Sequence, residues 1–599
     1  MSKKIKRIIC CLFCMILCLQ FSVGCNSNEK RIDDERNLSA YETSIYNLAG
    51  TDALGRKVNE VDGVRDSSVY VGMWYSFWHG QHTSLQTEIR DIQKLLDSGD
   101  EGVAKLKDLS DWAQFYYWGE PLYGYYNSMD PFVIARHIEL FTNAGIDFLL
   151  VDVTNAYVYK EVGYVFLDML LEFQNQGFKV PKMGFYTNTN SGTTVNTIYN
   201  TYYKSGKYED LWFKPNGKPL IVGITENNNF ASDQTRYWNT TDFVSSNMQA
   251  YFEVKESQWP NGEMNLENGM PWMSWTYPQS IHSGYTSVAV AQHDYNTTYF
   301  SSMSPSSHRG YDNVTQTVQG DYREGLSFQQ QWDSLEDRKD EISTVFICCW
   351  NEWIAQKQPN GAFIDVYNWE YSRDLEMMKG GYGDNFYMQL VKNVREFKYD
   401  TAKKYNYTFN EIDVSVDDST WDNVLYQFKD FKGDAIKRDF KDAAGKENYV
   451  DNSARNDITD ISVTHDANNL YFRIETAEKI TEYNGKDKNW MNILLSVDSS
   501  DNSFEGYQYI INRNPSNNET SVEKSKGGYS WENIGSAEYK IIDNVMLVSI
   551  PLDTLGLSQN KCYIQFKVSD NVTNPDDIMD YYISGDCAPL GRLNYSYGL

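Results

Sequence analysis

The chain has 599 residues, a formal net charge of −28 and a pI of about 4.7. So acidic a surface repels nucleic acid and anionic lipid, which favours neutral partners over polyanions unless a local basic pocket overrides it. Hydrophobic residues make up 41%, enough for real cores, and aromatics 15%, with 45 Tyr and 16 Trp whose flat faces carry a polar handle.

The N-terminus reads as a targeting segment. Lys3, Lys4, Lys6 and Arg7 form a basic start, and Ile8–Phe21 an apolar stretch too short to span a bilayer. Ser22-Val23-Gly24-Cys25 then resembles a bacterial lipobox, with Cys25 as the lipidated residue. Ordinary cleavage and secretion is the alternative. Met1–Gly24 is a signal peptide on either reading, and residues 25–65 read as a polar tether. The expected address is extracytoplasmic, on a bacterial membrane or cell surface, with membrane contact through the lipid alone. A monomer is expected. Beyond the signal, Cys348, Cys349, Cys562 and Cys587 show no zinc spacing and read as small buried hydrophobes, the adjacent pair pointing to opposite faces of a strand.

From Ser68 strands and helices alternate. Ser68–Tyr75 is the first strand. Asp130–Asn143 is a helix, capped by Asp130, with Pro131 in its first turn and Gly145 as its stop. Ile146–Val153, Val180–Tyr186 and Lys218–Thr225 are strands two to four, with helices Tyr164–Gln174 and Val195–Lys204 among them. Gln249–Val254, Met270–Trp275 and Thr286–Gln292 are expected as strands five to seven. A helix carrying Phe328, Trp332 and Leu335 leads to strand eight, Thr344–Trp350, and Asn385–Phe397 closes the set. This is the pattern of a (β/α)8 TIM-type barrel, class α/β, over 66–400; a large open α/β sheet is the alternative. Beyond Tyr405 short alternating strands with polar turns, among them Leu470–Ile474, Met491–Val497 and Tyr563–Val568, predict an all-β sandwich domain over 409–599.

Active sites of such barrels lie at the C-terminal ends of the strands. That places Trp74, Tyr75 and His79 after strand one, Asp152 and Asn155 after two, Tyr186 after three, Glu226 after four, Trp275 and Tyr277 after six, and Asn351, Glu352 and Trp353 after eight. Asp365 and Glu370 follow in the next loop. This mouth is rich in rings, amides and carboxyls, the set that glycoside hydrolysis needs. No phosphate loop, G-x-S-x-G elbow or H-E-x-x-H motif is present. Glu352, set between Trp350 and Trp353, is the leading catalytic candidate, with Asp152, Asp365 and Glu370 as further carboxyls. Asp152 could instead cap a helix, and Asp365 and Glu370 could pair with Arg373. His79 and His82 lack a third ligand, so no metal role and no cofactor is expected of the barrel.

Trp118–Asn155 (WGEPLYGYYNSMDPFVIARHIELFTNAGIDFLLVDVTN) together with Trp350-Asn351-Glu352-Trp353 resembles the family 99 and family 71-like glycoside hydrolases and the related WbsX-type proteins. The resemblance implies a glycosidase barrel in which Glu352 is catalytic. The family keeps a second glutamate three residues on, where this chain has Ala355. Asp365, Glu370, Asp152 or Glu226 would then supply the second carboxyl, or the domain would be a non-catalytic glycan-capture protein. The C-terminal part, with Ile412-Asp413-Val414, Trp421, Leu470-Tyr471-Phe472 and Ser584–Tyr597, is similar to family 9 carbohydrate-binding modules. That implies exposed aromatics stacking on sugars, with Trp490, Tyr509, Arg513 and Trp531 as candidates, though Trp490 could equally be core. Asp586 and neighbouring acids are candidates for a structural calcium.

Overall fold

The computed structural model describes residues 38–598 apart from 228–240, 259–265, 274–275, 293–307, 319, 364–365, 403–409 and 498. Cys25, Trp275 and Asp365 lie outside the described residues, as does the signal peptide.

Eight parallel strands form a nearly closed barrel: β1 (Tyr70–Tyr75), β2 (Phe148–Val153), β3 (Lys182–Thr187), β4 (Leu220–Gly223), β5 (Glu253–Ser257), β6 (Gly269–Met270), β7 (Tyr285–Ala289) and β8 (Thr344–Cys348). Hydrogen-bonded ladders run unbroken in the order β6-β5-β4-β3-β2-β1-β8-β7, and no ladder joins β6 to β7 among the described residues. The helices that follow the first barrel elements are α1 (Pro131–Ala144), α2 (Lys160–Asn175), α3 (Ser191–Ile198), α4 (Ser246–Tyr251), α5 (Leu326–Glu336) and α6 (Asn385–Lys398); shorter ones precede them at Ala40–Tyr46, Ile92–Asp97 and Asp100–Lys107. Asp130 caps α1 through the Phe132 amide, Pro131 stands in its first turn, and Gly145 ends it in the left-handed region at φ 75°, as read from the sequence.

Two expected strands differ. Gln249–Tyr251 forms the end of α4, and the fifth strand begins only at Glu253. The sixth stops at Met270, because Pro271 brings no N–H to a ladder.

Strand alternation divides the core. Trp74, Phe148, Leu150, Tyr186, Val222, Tyr285, Phe346 and Cys348 fill the barrel interior. Val71, Leu149, Val151, Phe185, Ile221, Val345 and Ile347 face the helices. Cys349 packs with the interior set beside Cys348 and not on the opposite face, since the strand ends at Cys348 and its alternation goes no further.

The barrel is followed by a β-rich domain built on a thirteen-stranded antiparallel sheet. Of the stretch read as a tether, the described residues 38–65 are folded, and two of their strands join this sheet. Helix Ala40–Tyr46 opens on a capping box between Ser39 and Glu42. Strand Leu48–Thr51 then lies between Leu593–Tyr597 and Lys57–Val58. One apolar cluster runs from the outer barrel faces through Ile138 and Val391 to Phe428 and Phe566 of the sheet.

Candidate active site

At the C-terminal mouth Trp74, Tyr186 and Trp272 form an aromatic floor, with ring centroids 4.9 Å (Trp74–Tyr186) and 6.3 Å (Trp74–Trp272) apart. The Tyr186 hydroxyl donates to the Met270 carbonyl at 2.8 Å and accepts from the Gln258 amide at 3.0 Å, which locks the ring. Above this floor Arg373 lies over the Trp272 ring at 5.2 Å and pairs with the Glu352 carboxylate at 2.5 Å. The Cys349 thiol sits 3.6 Å from the same carboxylate. Glu352 is buried, with 7% of its surface exposed, so the guanidinium offsets a desolvation cost that water would otherwise meet.

The backbone around Glu352 is fixed from behind. Its amide donates to Asp374 at 2.5 Å, and the Trp118 indole donates to the other Asp374 oxygen at 2.9 Å. Burial pushes the Asp374 carboxyl up to about 6. The indoles flanking Glu352 do not face a ligand. Trp353 stacks on Trp118 at 4.2 Å and donates to Glu376, while Trp350 packs edge-on against Phe141 at 4.7 Å. Asn351 brackets the Ser76 backbone through its carbonyl and amide at 2.8 and 3.1 Å. The Asn-Glu-Trp turn thus sends one side chain, Glu352, to the mouth and buries its neighbours as supports. Glu376 is the hub behind them: it also accepts from the Tyr126 hydroxyl at 2.8 Å and contacts His137 Nε2 at 2.9 Å.

Asp152 stands on the inner face of β2, opposite Tyr186 in the ladder, half-buried, with one oxygen accepting the Thr154 amide at 2.9 Å. Beyond it the rim is aromatic. Tyr157, 50% exposed, lies 5.0 Å from the His82 ring and 4.7 Å from Tyr159, and Trp78 packs 5.4 Å from Phe115. Asn155 holds this rim by donating to the Tyr159 hydroxyl at 3.0 Å.

Other predicted residues are placed elsewhere. Tyr75 points away from the mouth to His137 Nδ1 at 2.8 Å, as alternation requires of the residue after Trp74. His79 is sealed from solvent near Ser128 and Tyr117, and burial pulls its imidazole down to about 3. Glu226 is exposed on a turn. Tyr277 is half-buried, and burial, with the charges of Asp333 on α5 and Asp312, pushes its hydroxyl up. Glu370 pairs with His308, not with Arg373, and burial pushes its carboxyl up. In the β-rich domain Trp490 is buried and donates to the Thr481 carbonyl at 3.0 Å, and Tyr509 is buried and donates to Leu555 at 3.1 Å. Arg513 is spent on Glu523 at 2.8 Å, and Trp531 packs half-buried against Tyr529 at 5.6 Å. Trp490, Tyr509 and Arg513 form no open sugar platform.

Sequence reasoning missed Trp272, Asp374 and the pairing of Arg373 with Glu352. The only signal for them was composition: an indole after Pro271 and a basic–acidic pair, Arg373-Asp374, in the loop after strand eight.

No protein-family model matches the chain, and no curated protein matches it in sequence. Two solved structures of the GH99 endo-alpha-mannosidase from Bacteroides thetaiotaomicron, one in complex with bis-tris-propane, are similar to it. They share 16% and 15% identity with it, cover 55% of this chain and 97% of their own, and give a TM-score of 0.32.

Proposed function

We propose that the chain is a glycoside hydrolase that cleaves an O-glycosyl bond of a neutral poly- or oligosaccharide at the barrel mouth. The observation that carries this reading is a buried carboxylate, Glu352, held by Arg373 over Trp272, with Asp152 on the inner face of β2 beside Tyr186. Such hydrolysis divides the work between two carboxyls: one stays an anion, as nucleophile or base, and the other keeps its proton to protonate the leaving oxygen. Environments that push two carboxyls apart assign the roles. The Arg373 ion pair presents Glu352 as the anion. Asp152, the carboxyl on the inner face of β2, is the second group, as acid or in positioning a sugar hydroxyl.

The roles are separable by experiment. Glu352→Gln should lose reducing-sugar release from every glycan the wild type cleaves. With Asp152 as the acid, Asp152→Asn should lose about 10²–10⁴-fold on natural glycans, yet retain most of its rate on aryl glycosides whose leaving group needs no protonation; an equal loss on both marks it as a positioning residue. Full activity in Glu352→Gln would sink the assignment.

A specific observation favours a second reading, glycan capture without turnover. Ala355 is buried in a short ladder opposite Tyr116, so no carboxyl stands at the position where the resembling family keeps its second glutamate. Binding of a glycan that is never shortened over long incubation would favour it.

We also propose that Cys25 carries a lipid that anchors the chain outside the cytoplasm. This rests on the lipobox-like Ser22–Cys25 alone. No helix among the described residues is long and apolar enough to cross a membrane. In cells, Cys25→Ser should shift the protein from the membrane to the soluble fraction; continued membrane retention would argue against the anchor.

A further inference from the structure

A cluster of buried acids lies where the antiparallel sheet meets helix α1, away from the barrel mouth. Asp434 belongs to the turn between strands Tyr426–Lys429 and Arg438–Lys441, Asp457 precedes strand Ile458–His465, and Asp586 opens strand Asp586–Ala588. One carboxylate oxygen from each lies within 4.8 Å of the others. Asp434 and Asp586 are fully buried and Asp457 is half-buried.

Each carboxylate is already aimed by the protein. Asp434 Oδ2 accepts from Arg136 at 2.8 Å, and Asp457 Oδ2 accepts from the Gly433 amide at 2.8 Å. The Asp586 oxygens accept from the Cys587 and Ile458 amides at 2.8 and 2.6 Å. Asp434 Oδ1 and Asp457 Oδ1 are shielded from solvent and accept no hydrogen bond from an amide, amine or hydroxyl, facing other carboxyls instead. The surroundings deepen the deficit of positive charge. Asp430 Oδ2 and both oxygens of Glu139 also lack amide, amine or hydroxyl donors, and Glu139 faces Asp434. Arg136 serves Asp434 and Glu139 together, at 2.8 and 3.5 Å. The nearby Lys567 amine is spent on the Pro589 and Leu593 carbonyls. Buried carboxylates brought this close call for positive charge between them.

We propose that Asp434, Asp457 and Asp586 bind a calcium ion that fastens the turn at Asp434 to the two strand starts. The donors are all oxygen, the set a hard cation takes, and three carboxylate oxygens this close can share one ion at the Ca–O distances of about 2.3–2.6 Å. Magnesium demands near-ideal octahedral geometry and keeps several waters, which suits a buried all-protein set less well. Because Asp434 also pairs with Arg136 of α1, the ion strengthens the seam between barrel and sheet.

The test uses the full chain, stripped with EDTA and then titrated with calcium alone by calorimetry, with metal content and melting temperature read in parallel. The wild type should take up calcium stoichiometrically and melt several degrees higher with it. Asp457→Asn, at the half-exposed ligand, should keep the far-ultraviolet spectrum of the stripped wild type, bind calcium roughly tenfold or more weakly and lose the shift. The proposal is overturned if the stripped wild type takes up no calcium and melts alike in EDTA and in calcium. It is equally overturned if Asp457→Asn binds as the wild type does.

Discussion

At the scale of single residues, the barrel mouth turns on one ion pair. The side chains of Arg373 and Glu352 are 1% and 9% exposed, so their pairing contributes compensation that water does not give. Removing one partner of a buried pair costs about 3–5 kcal/mol, most of it from the charge left behind, whereas replacing both is far milder. Arg373→Met should therefore lower unfolding stability by an amount in that range, and Glu352→Gln in the same chain should restore most of it. Urea unfolding of the two singles and the double measures the coupling directly. A double variant as unstable as the sum of the singles would mean that the pair is not what holds Arg373 over Trp272. The same cycle bears on the chemistry, since a carboxylate fixed by its own counter-ion arrives at the substrate already oriented.

At the scale of elements, local chemistry was legible and long-range pairing was not. Asp130, Pro131 and Gly145 announced α1 because caps act within a turn of the residues that make them. The apolar run before Asp152 announced β2 because a parallel strand is buried on both faces. The sixth strand was misjudged because its extent depends on a neighbouring ladder and on Pro271, not on its own hydrophobicity. The direction of Trp353 was also misjudged: stacking on Trp118 and bonding to Glu376, both far off in sequence, decide it. Glu352 itself was readable from its turn, but its partner lies 21 residues on, and no spacing rule links them. One element-scale feature that neither pattern nor propensity exposes is the fit between β1 and β2. A Cβ on Gly72 would stand 2.2 Å from the Phe148 ring, which fills the barrel floor and stacks on Phe213 at 4.0 Å. Gly72→Ala should cost about 1–3 kcal/mol through overpacking. Adding Phe148→Leu should recover part of the loss, as read from urea midpoints. A Gly72→Ala chain as stable as the wild type would show that the floor yields without cost.

At the scale of the whole molecule, barrel and sheet are laced into one body by the chain's first described residues. Strand Leu48–Thr51 is hydrogen-bonded to Leu593–Tyr597, so the two ends of the described chain share one ladder. The barrel's last helix grips the same segment through one buried guanidinium. Arg395 of α6 donates to the carbonyls of Asn59, Ile45, Tyr46 and Leu48 at 3.0, 2.8, 3.2 and 3.1 Å. Ion pairs cross the seam elsewhere, between Asp130 and Arg438 at 2.7 Å and between Asp384 and Arg592 at 2.9 Å. A seam of this kind makes separate unfolding costly, because opening it strands buried charges and carbonyls on both sides. The full chain should therefore melt in a single calorimetric transition whose calorimetric and van't Hoff enthalpies agree. Arg395→Met should lower the midpoint by removing the donor from four carbonyls at once, a loss of about 3 kcal/mol or more given roughly 1–3 kcal/mol for each buried group left unpaired. Two resolved transitions in the wild type, one for the barrel and one for the sheet, would sink the claim of a single cooperative body. An unchanged midpoint in Arg395→Met would sink the role given to the guanidinium.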